Sequence, residues 1–233
     1  CDLIFGLPGE TLEHIKESFC QVMALRPHEL QLGFLKFLPG APINDLVEKH
    51  QYRYQSTPPY ELISHQDLSA EEVLYLKQFV DIFDRYYNSK RFRFSINTLL
   101  EKMDPVALFD YLLEYHDSHA LLMNPVSLDE QYRIFRDTFY PVPTPMERDL
   151  LKLDYLYSQR SFRLPGILST KPPAKTWKKD RKTPIIPFDH EIEISGSQAL
   201  LKEAKHPVYY AIAHSQNGDG YFRRPTVNVI SEA

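Results

Sequence analysis

The stretch Leu3-Ile4-Phe5, Gly6-Leu7-Pro8-Gly9 and the run behind it limits the fold of this chain more than any other feature. Three apolar residues are too few for a helix and read as a short buried strand. The two glycines bracket a tight turn, which needs backbone angles other residues avoid. Leu12, Ile15, Phe19 and Val22 then recur at helical spacing. After Arg26-Pro27, the run Leu30 to Phe37 reads as a second strand, closed by Pro39-Gly40. Strand, helix and strand of this length predict a right-handed βαβ unit with parallel strands. A chain that opens on its own core strand is expected to be a piece of a larger protein. The unit should then expose a sheet edge, to be covered by self-association or by contact with the upstream part of its own chain.

Beyond this unit the pattern turns helical. A short helix is expected around Ile43–His50, and an edge strand at Tyr60–Ser64. Ser69 with Glu72, Ser127 with Glu130 and Thr144 with Glu147 read as capping boxes. Asp104-Pro105 is an N-cap followed by Pro at the first helical position. Val73, Leu76, Phe79, Phe83 and Tyr87 form one apolar stripe. Residues 163–183 are rich in Pro, Lys and Arg and read as a loop. Further on, Glu191–Ile194, Val208–Ala213 and Val227–Ile230 read as strands, Ser197–Ala204 as a short helix and Asn217–Gly220 as a turn. The fold class is therefore an α/β fragment, the last βαβ of a partial parallel barrel, followed by a mostly α-helical domain and a small β-containing C-terminal part. The boundaries fall at 1–43, 44–68, 69–162 and 163–233.

Composition excludes several classes. The formal net charge of −4 gives no global drive toward nucleic acid or acidic lipid. No apolar stretch reaches the roughly 20 residues that span a bilayer. Two cysteines, Cys1 and Cys20, argue against a disulfide scaffold and for a reducing cytoplasm.

A glycine-bounded turn at the carboxyl end of a parallel strand is where α/β sheets place ligands. The sequence Asp2-Leu3-Ile4-Phe5-Gly6-Leu7-Pro8-Gly9-Glu10-Thr11, followed by an amphipathic helix, resembles the fifth strand of radical S-adenosylmethionine (SAM) enzymes. Phe34-Leu35-Lys36-Phe37-Leu38-Pro39-Gly40-Ala41-Pro42-Ile43 is similar to their sixth strand and its exit. Pro58-Pro59-Tyr60-Glu61 with Leu68-Ser69, and Tyr86-Tyr87-Asn88-Ser89-Lys90-Arg91-Phe92, resemble the region after the barrel in members with an N-terminal cobalamin-binding domain. That group is often labelled magnesium-protoporphyrin ester oxidative cyclase-like. The resemblance implies a parent enzyme that uses a four-iron cluster to cleave SAM, with cobalamin in the group it is most like. It implies that Ile4 contacts the adenine, that Gly6 gives backbone access, and that Gly9, Glu10 and the backbone of Leu38 also line the SAM site. The family pattern has its acid where this chain has Gly9, and a Gly where this chain has Asp2. The cluster needs three thiolates in Cys-x3-Cys-x2-Cys, so this fragment alone should be inactive and hold no cofactor or metal.

Other candidates are plainer. Cys20, in mid-helix, reads as a packed small hydrophobe. His116 and His119, three apart beside Glu114 and Asp117, have a spacing compatible with a metal, but also suit a helix C-terminus. His65, His190 and His214 are isolated and read as ordinary hydrogen-bonded histidines. Lys36 alternates with Phe34 and Leu38 and either faces a substrate or snorkels at the strand end. The basic run Lys171 to Lys182 around Trp177 has the chemistry to grip a phosphate backbone and stack a base. It carries the alternative reading, a binding module without chemistry; a solvated loop is the simpler account of the same residues. The substrate is not legible.

Overall fold

The computed structural model describes residues 1–122, 124–158, 164–169, 185–195, 198–214 and 225–229. In chain order the elements are β1 (Asp2–Phe5), α1 (Leu12–Ala24), β2 (Gln31–Phe34), a 3-10 turn (Pro42–Leu46), β3 (Arg53–Tyr54) and β4 (Leu62–Ser64). Then come α2 (Ala70–Phe83), a π-helical turn (Asp84–Asn88), α3 (Arg93–Leu99), α4 (Pro105–Ser118), α5 (Leu128–Phe139) and α6 (Pro145–Ser158). The chain closes on β5 (Ile185–Ser195), β6 (Gln198–His214) and β7 (Pro225–Val229). This is an α/β start, a helical middle and a β-containing end. No helix among the described residues is long and apolar enough to cross a membrane.

The chain divides into two compact units. The first comprises residues 1–88 and 103–123. In it β1 and β2 pair in parallel, Asp2 opposite Gln31 through Phe5 opposite Phe34, with α1 as the crossover. Alternation along β1 buries Phe5 against Ile15 in the core and leaves Ile4 on the other side, half exposed. The regular second strand is shorter than the apolar run. Beyond Phe34 the chain is claimed by the 60–62 segment: the Phe37 N–H donates to the Tyr60 carbonyl, and the Leu62 N–H to that of Leu35. β3 and β4 form an antiparallel pair. Helix α2 starts with the expected box, Ser69 accepting from Glu72 N–H and Glu72 from Ser69 N–H. Its stripe packs Phe79 and Phe83 around Phe19 of α1 and Phe109 of α4, ring edges meeting ring faces.

The second unit comprises residues 89–102 and 124–233. Helices α3, α5 and α6 bury Phe94, Tyr132, Phe135 and Leu153. Thr144 and Glu147 make both capping-box bonds at α6. At α5 the box is half made: Ser127 accepts from Glu130 N–H, while the Glu130 carboxylate pairs with Arg133. The segment expected as a helix at Ser197–Ala204 is instead the start of β6. It pairs antiparallel with β5, Ile192 opposite Leu201 and Ile194 opposite Ala199. These four side chains pack on one cluster while Leu200 faces out, a period of two that a helix could not deliver. Strand pairing overrides the local helix propensity of Ala-Leu-Leu. The expected Glu191–Ile194 strand lies inside β5, Val208–Ala213 inside β6, and Val227 to Val229 inside β7. The basic run 171–182 with Trp177 and the turn at 217–220 lie outside the described residues.

Candidate functional site

The candidate site is the carboxyl end of β1 and β2. Leu7-Pro8-Gly9-Glu10 closes a β-turn, Glu10 N–H donating to the Leu7 carbonyl at 3.1 Å. Pro at the second position and Gly9 at the third, with φ +77°, give the type II pattern. Gly6 also lies in the left-handed region, φ +88°, and a Cβ there would sit 2.0 Å from Leu62 Cδ2. Two independent constraints therefore demand glycine at position 6, whereas at Gly9 only the backbone does, since nothing lies within 4 Å of its would-be Cβ.

Glu10 does not serve the first turn of α1. Its Oε2 turns back to accept from Gly6 N–H at 2.7 Å and Leu7 N–H at 3.1 Å. The N-cap is Thr11, which trades hydrogen bonds with His14. The remaining polar atom of Gly6, its carbonyl, accepts from Tyr52 Oη at 3.1 Å. Gly6 is thus engaged on all sides, by Glu10, Tyr52 and Leu62, and shapes the turn from beneath. The surface left open is Ile4, 53% exposed, with Leu7 and Gly9. Leu38 is also half exposed. Its carbonyl accepts from Ala41 N–H and from Asn44 Nδ2 at 2.8 Å, which fixes the exit of the second strand.

Tyr52 joins the two strand ends. Besides its bond to Gly6, its buried ring packs on Phe37 (centroids 4.9 Å apart) and on His65 (5.1 Å). Burial first, then the carboxylates of Glu10 and Asp67, push its phenol up to about 12, so it stays a donor at any physiological pH. The sequence reading missed Tyr52, Leu62 and Asn44. The one available signal for Tyr52 was the alternation of Tyr52 and Tyr54 in an otherwise polar stretch, the mark of a short strand.

A groove of about 640 Å³ runs along β2, lined by Ile4, Gly33, Phe34, Lys36, Glu61 and Lys77 among others. Lys36 is exposed at its rim and its backbone bridges to Glu61. Lys77 is ion-paired with Glu61 and lies over the Phe34 ring at 5.4 Å.

The other candidates disperse. Cys20 is half-buried, not a core hydrophobe. Its thiol donates to Asp104 at 3.4 Å, and burial and that carboxylate raise its pKa, which opposes thiolate character. His116 is fully buried, its Nε2 2.9 Å from Tyr86 Oη, and burial with the nearby Arg85 drops its pKa to about 4. His119, stacked on Tyr115 at the surface, does not join it. No group of three or more His, Cys, Asp or Glu among the described residues is placed to hold a metal ion. His190 finds a carboxylate, its Nδ1 3.0 Å from Asp149 Oδ2.

Residues 48–191 match the family described as Protein of unknown function (DUF4080). The match spans more than half of the chain, and the chain belongs to that family. No curated protein matches it. The family segment includes Tyr52 and Leu62, and the turn they contact lies before it.

Proposed function

We propose that this chain is the C-terminal part of a radical SAM iron–sulfur enzyme, with the Leu7–Gly9 turn and Ile4 beside the cofactor. The observation that carries the reading is the motif's placement. A Gly-Leu-Pro-Gly turn stands at the carboxyl end of a parallel strand, α1 behind it, and an apolar β-branched residue half exposed on the strand before it. A flat purine gains contact on such a wall without desolvating a hydrogen bond. The open residues fit a SAM adenosine. The cysteines do not fit a four-iron cluster: there are two, Cys1 at the surface and Cys20 against Asp104. The ligands would belong to residues outside this chain. In that reading, SAM and a reduced cluster held elsewhere would supply the radical chemistry. This chain's own part is to shape the adenosine wall and, through residues 52–62, to brace it. A cobalamin domain elsewhere in the protein belongs to the same reading, with oxidoreductase or methyl-transfer chemistry on an organic substrate.

Ile4→Asp tests it. Ile4 is half exposed, so the exchange should cost little stability. In the anaerobically reconstituted full-length enzyme it should weaken SAM binding by about tenfold or more, roughly 1.4 kcal/mol, by equilibrium dialysis. Unchanged affinity in the folded variant would remove Ile4 from the site and with it the reading.

A further inference from the structure

We propose that Tyr52 is the positioning residue of the SAM-facing turn, contributed by the family segment to a turn that precedes it; this rests on the SAM reading above. The turn is held from two sides. Glu10 ties down the N–H groups of Gly6 and Leu7 from within the same loop. The Gly6 carbonyl lies in the same peptide plane as the Leu7 N–H, so a donor to it holds from outside the loop the plane that Glu10 holds from within. Tyr52 Oη, 46 residues on, donates to it.

The phenol is itself well fixed. Its ring is buried between Phe37 and His65, and the Tyr52 N–H donates to the Val47 carbonyl at 3.0 Å. Phe37 directly precedes Leu38, whose carbonyl Asn44 holds. Tyr52 therefore links the β1 turn to the β2 exit, the two stretches between which a purine would lie, beside the ladder bond from Leu35 N–H to the Phe5 carbonyl. Leu62, filling the space under Gly6, is the apolar half of the same brace. A buried hydroxyl-to-carbonyl bond with a rigid donor is suited to fixing geometry, and a loose binding site costs affinity through the ordering it must undergo.

Tyr52→Phe deletes the bond and keeps the ring. Tyr54→Phe is the control: its ring stacks on the same Phe37 at 4.3 Å. Three quantities are measured on full-length reconstituted enzyme: SAM Kd by equilibrium dialysis, amide exchange at Gly6 and Leu7 by mass spectrometry, and Tm. For Y52F, Kd should rise about fivefold, about 1 kcal/mol. Exchange at the two amides should quicken about tenfold on the same scale, and Tm should stay within about 3 °C. Y54F should match wild type in all three. A Y52F Kd within about twofold of wild type, whatever the exchange does, overturns the role of Tyr52. So does a larger fall in Tm that by itself accounts for the lost affinity. A wild-type enzyme that binds no SAM overturns the SAM reading instead, and the two failures are told apart by that wild-type measurement.

Discussion

At the scale of single residues, Gly6 and Gly9 look alike in sequence and differ in what they do. Both hold positive φ, a region where a Cβ costs about 1–2 kcal/mol. Gly6 alone also abuts Leu62, whose Cδ2 would lie 2.0 Å from the new methyl. Leu62 is fully buried and cannot swing away freely, so overpacking adds about 1–3 kcal/mol. Gly9→Ala should therefore lose about 1 kcal/mol in urea unfolding and Gly6→Ala about 3. Pairing Gly6→Ala with Leu62→Ala should recover the steric part, giving a favourable coupling in the double-mutant cycle. Equal losses for the two glycine variants would deny the clash. The glycines were legible in the sequence because a turn between apolar runs requires them. Leu62 and Tyr52 were not, because their role lies in a contact made some fifty residues away, which no local pattern encodes.

At the scale of elements, sequence was a good guide where the signal is local. Caps at Ser69, Asp104, Ser127 and Thr144 mark real helix starts, since a cap bonds within three residues of itself. It misled at residues 198–204, where partner strand β5 decides. It was silent on the joint between α6 and β5. There Lys152 Nζ donates to Asp149 Oδ1 at 3.0 Å and to the Pro187 carbonyl at 2.9 Å. Asp149 Oδ2 accepts from the backbone N–H groups of Asp189 and His190 and faces His190 Nδ1. Both Asp149 and Lys152 are almost wholly buried. Removing one partner of such a pair strands the other, which costs about 3–5 kcal/mol, while an apolar replacement of both is much milder. Asp149→Ala should thus lower the second unit's stability by about 3–5 kcal/mol. Adding Lys152→Met should return a good part of it, although the N–H groups of Asp189 and His190 stay unpaired. A double variant no better than Asp149→Ala in urea unfolding would mean that the ion pair is not the source of the loss.

At the scale of the whole molecule, the two units carry buried titratable groups of opposite sense. In the first, burial lowers His65 and takes His116 to about 4. The unfolded chain then binds more protons than the folded one. Their contribution is fully present above the unfolded pKa of about 6.5 and is lost as pH falls toward the folded value. In the second unit Asp154 is fully buried, its carboxylate capping α3 by accepting from Phe94 N–H at 2.8 Å and Ser95 N–H at 3.0 Å. Burial outweighs those bonds and raises it to about 7. Here the folded state holds the proton longer, so the contribution is complete below about 4 and is lost as pH rises through about 7. Between about pH 4 and pH 6.5 the two effects run against each other. Urea midpoints read separately, by pulse-labelled exchange of peptides from α2 and α4 for the first unit and from α5 and α6 for the second, should therefore move apart. On acidification the first unit should weaken. Asp154 should strengthen the second, a gain isolated as the difference between wild type and Asp154→Asn. His116→Gln should flatten the first unit's slope and leave the second's unchanged. If Asp154→Asn instead keeps the wild-type slope over that range, the buried carboxyl does not titrate there, and α3 is capped by a carboxylate that stays charged throughout.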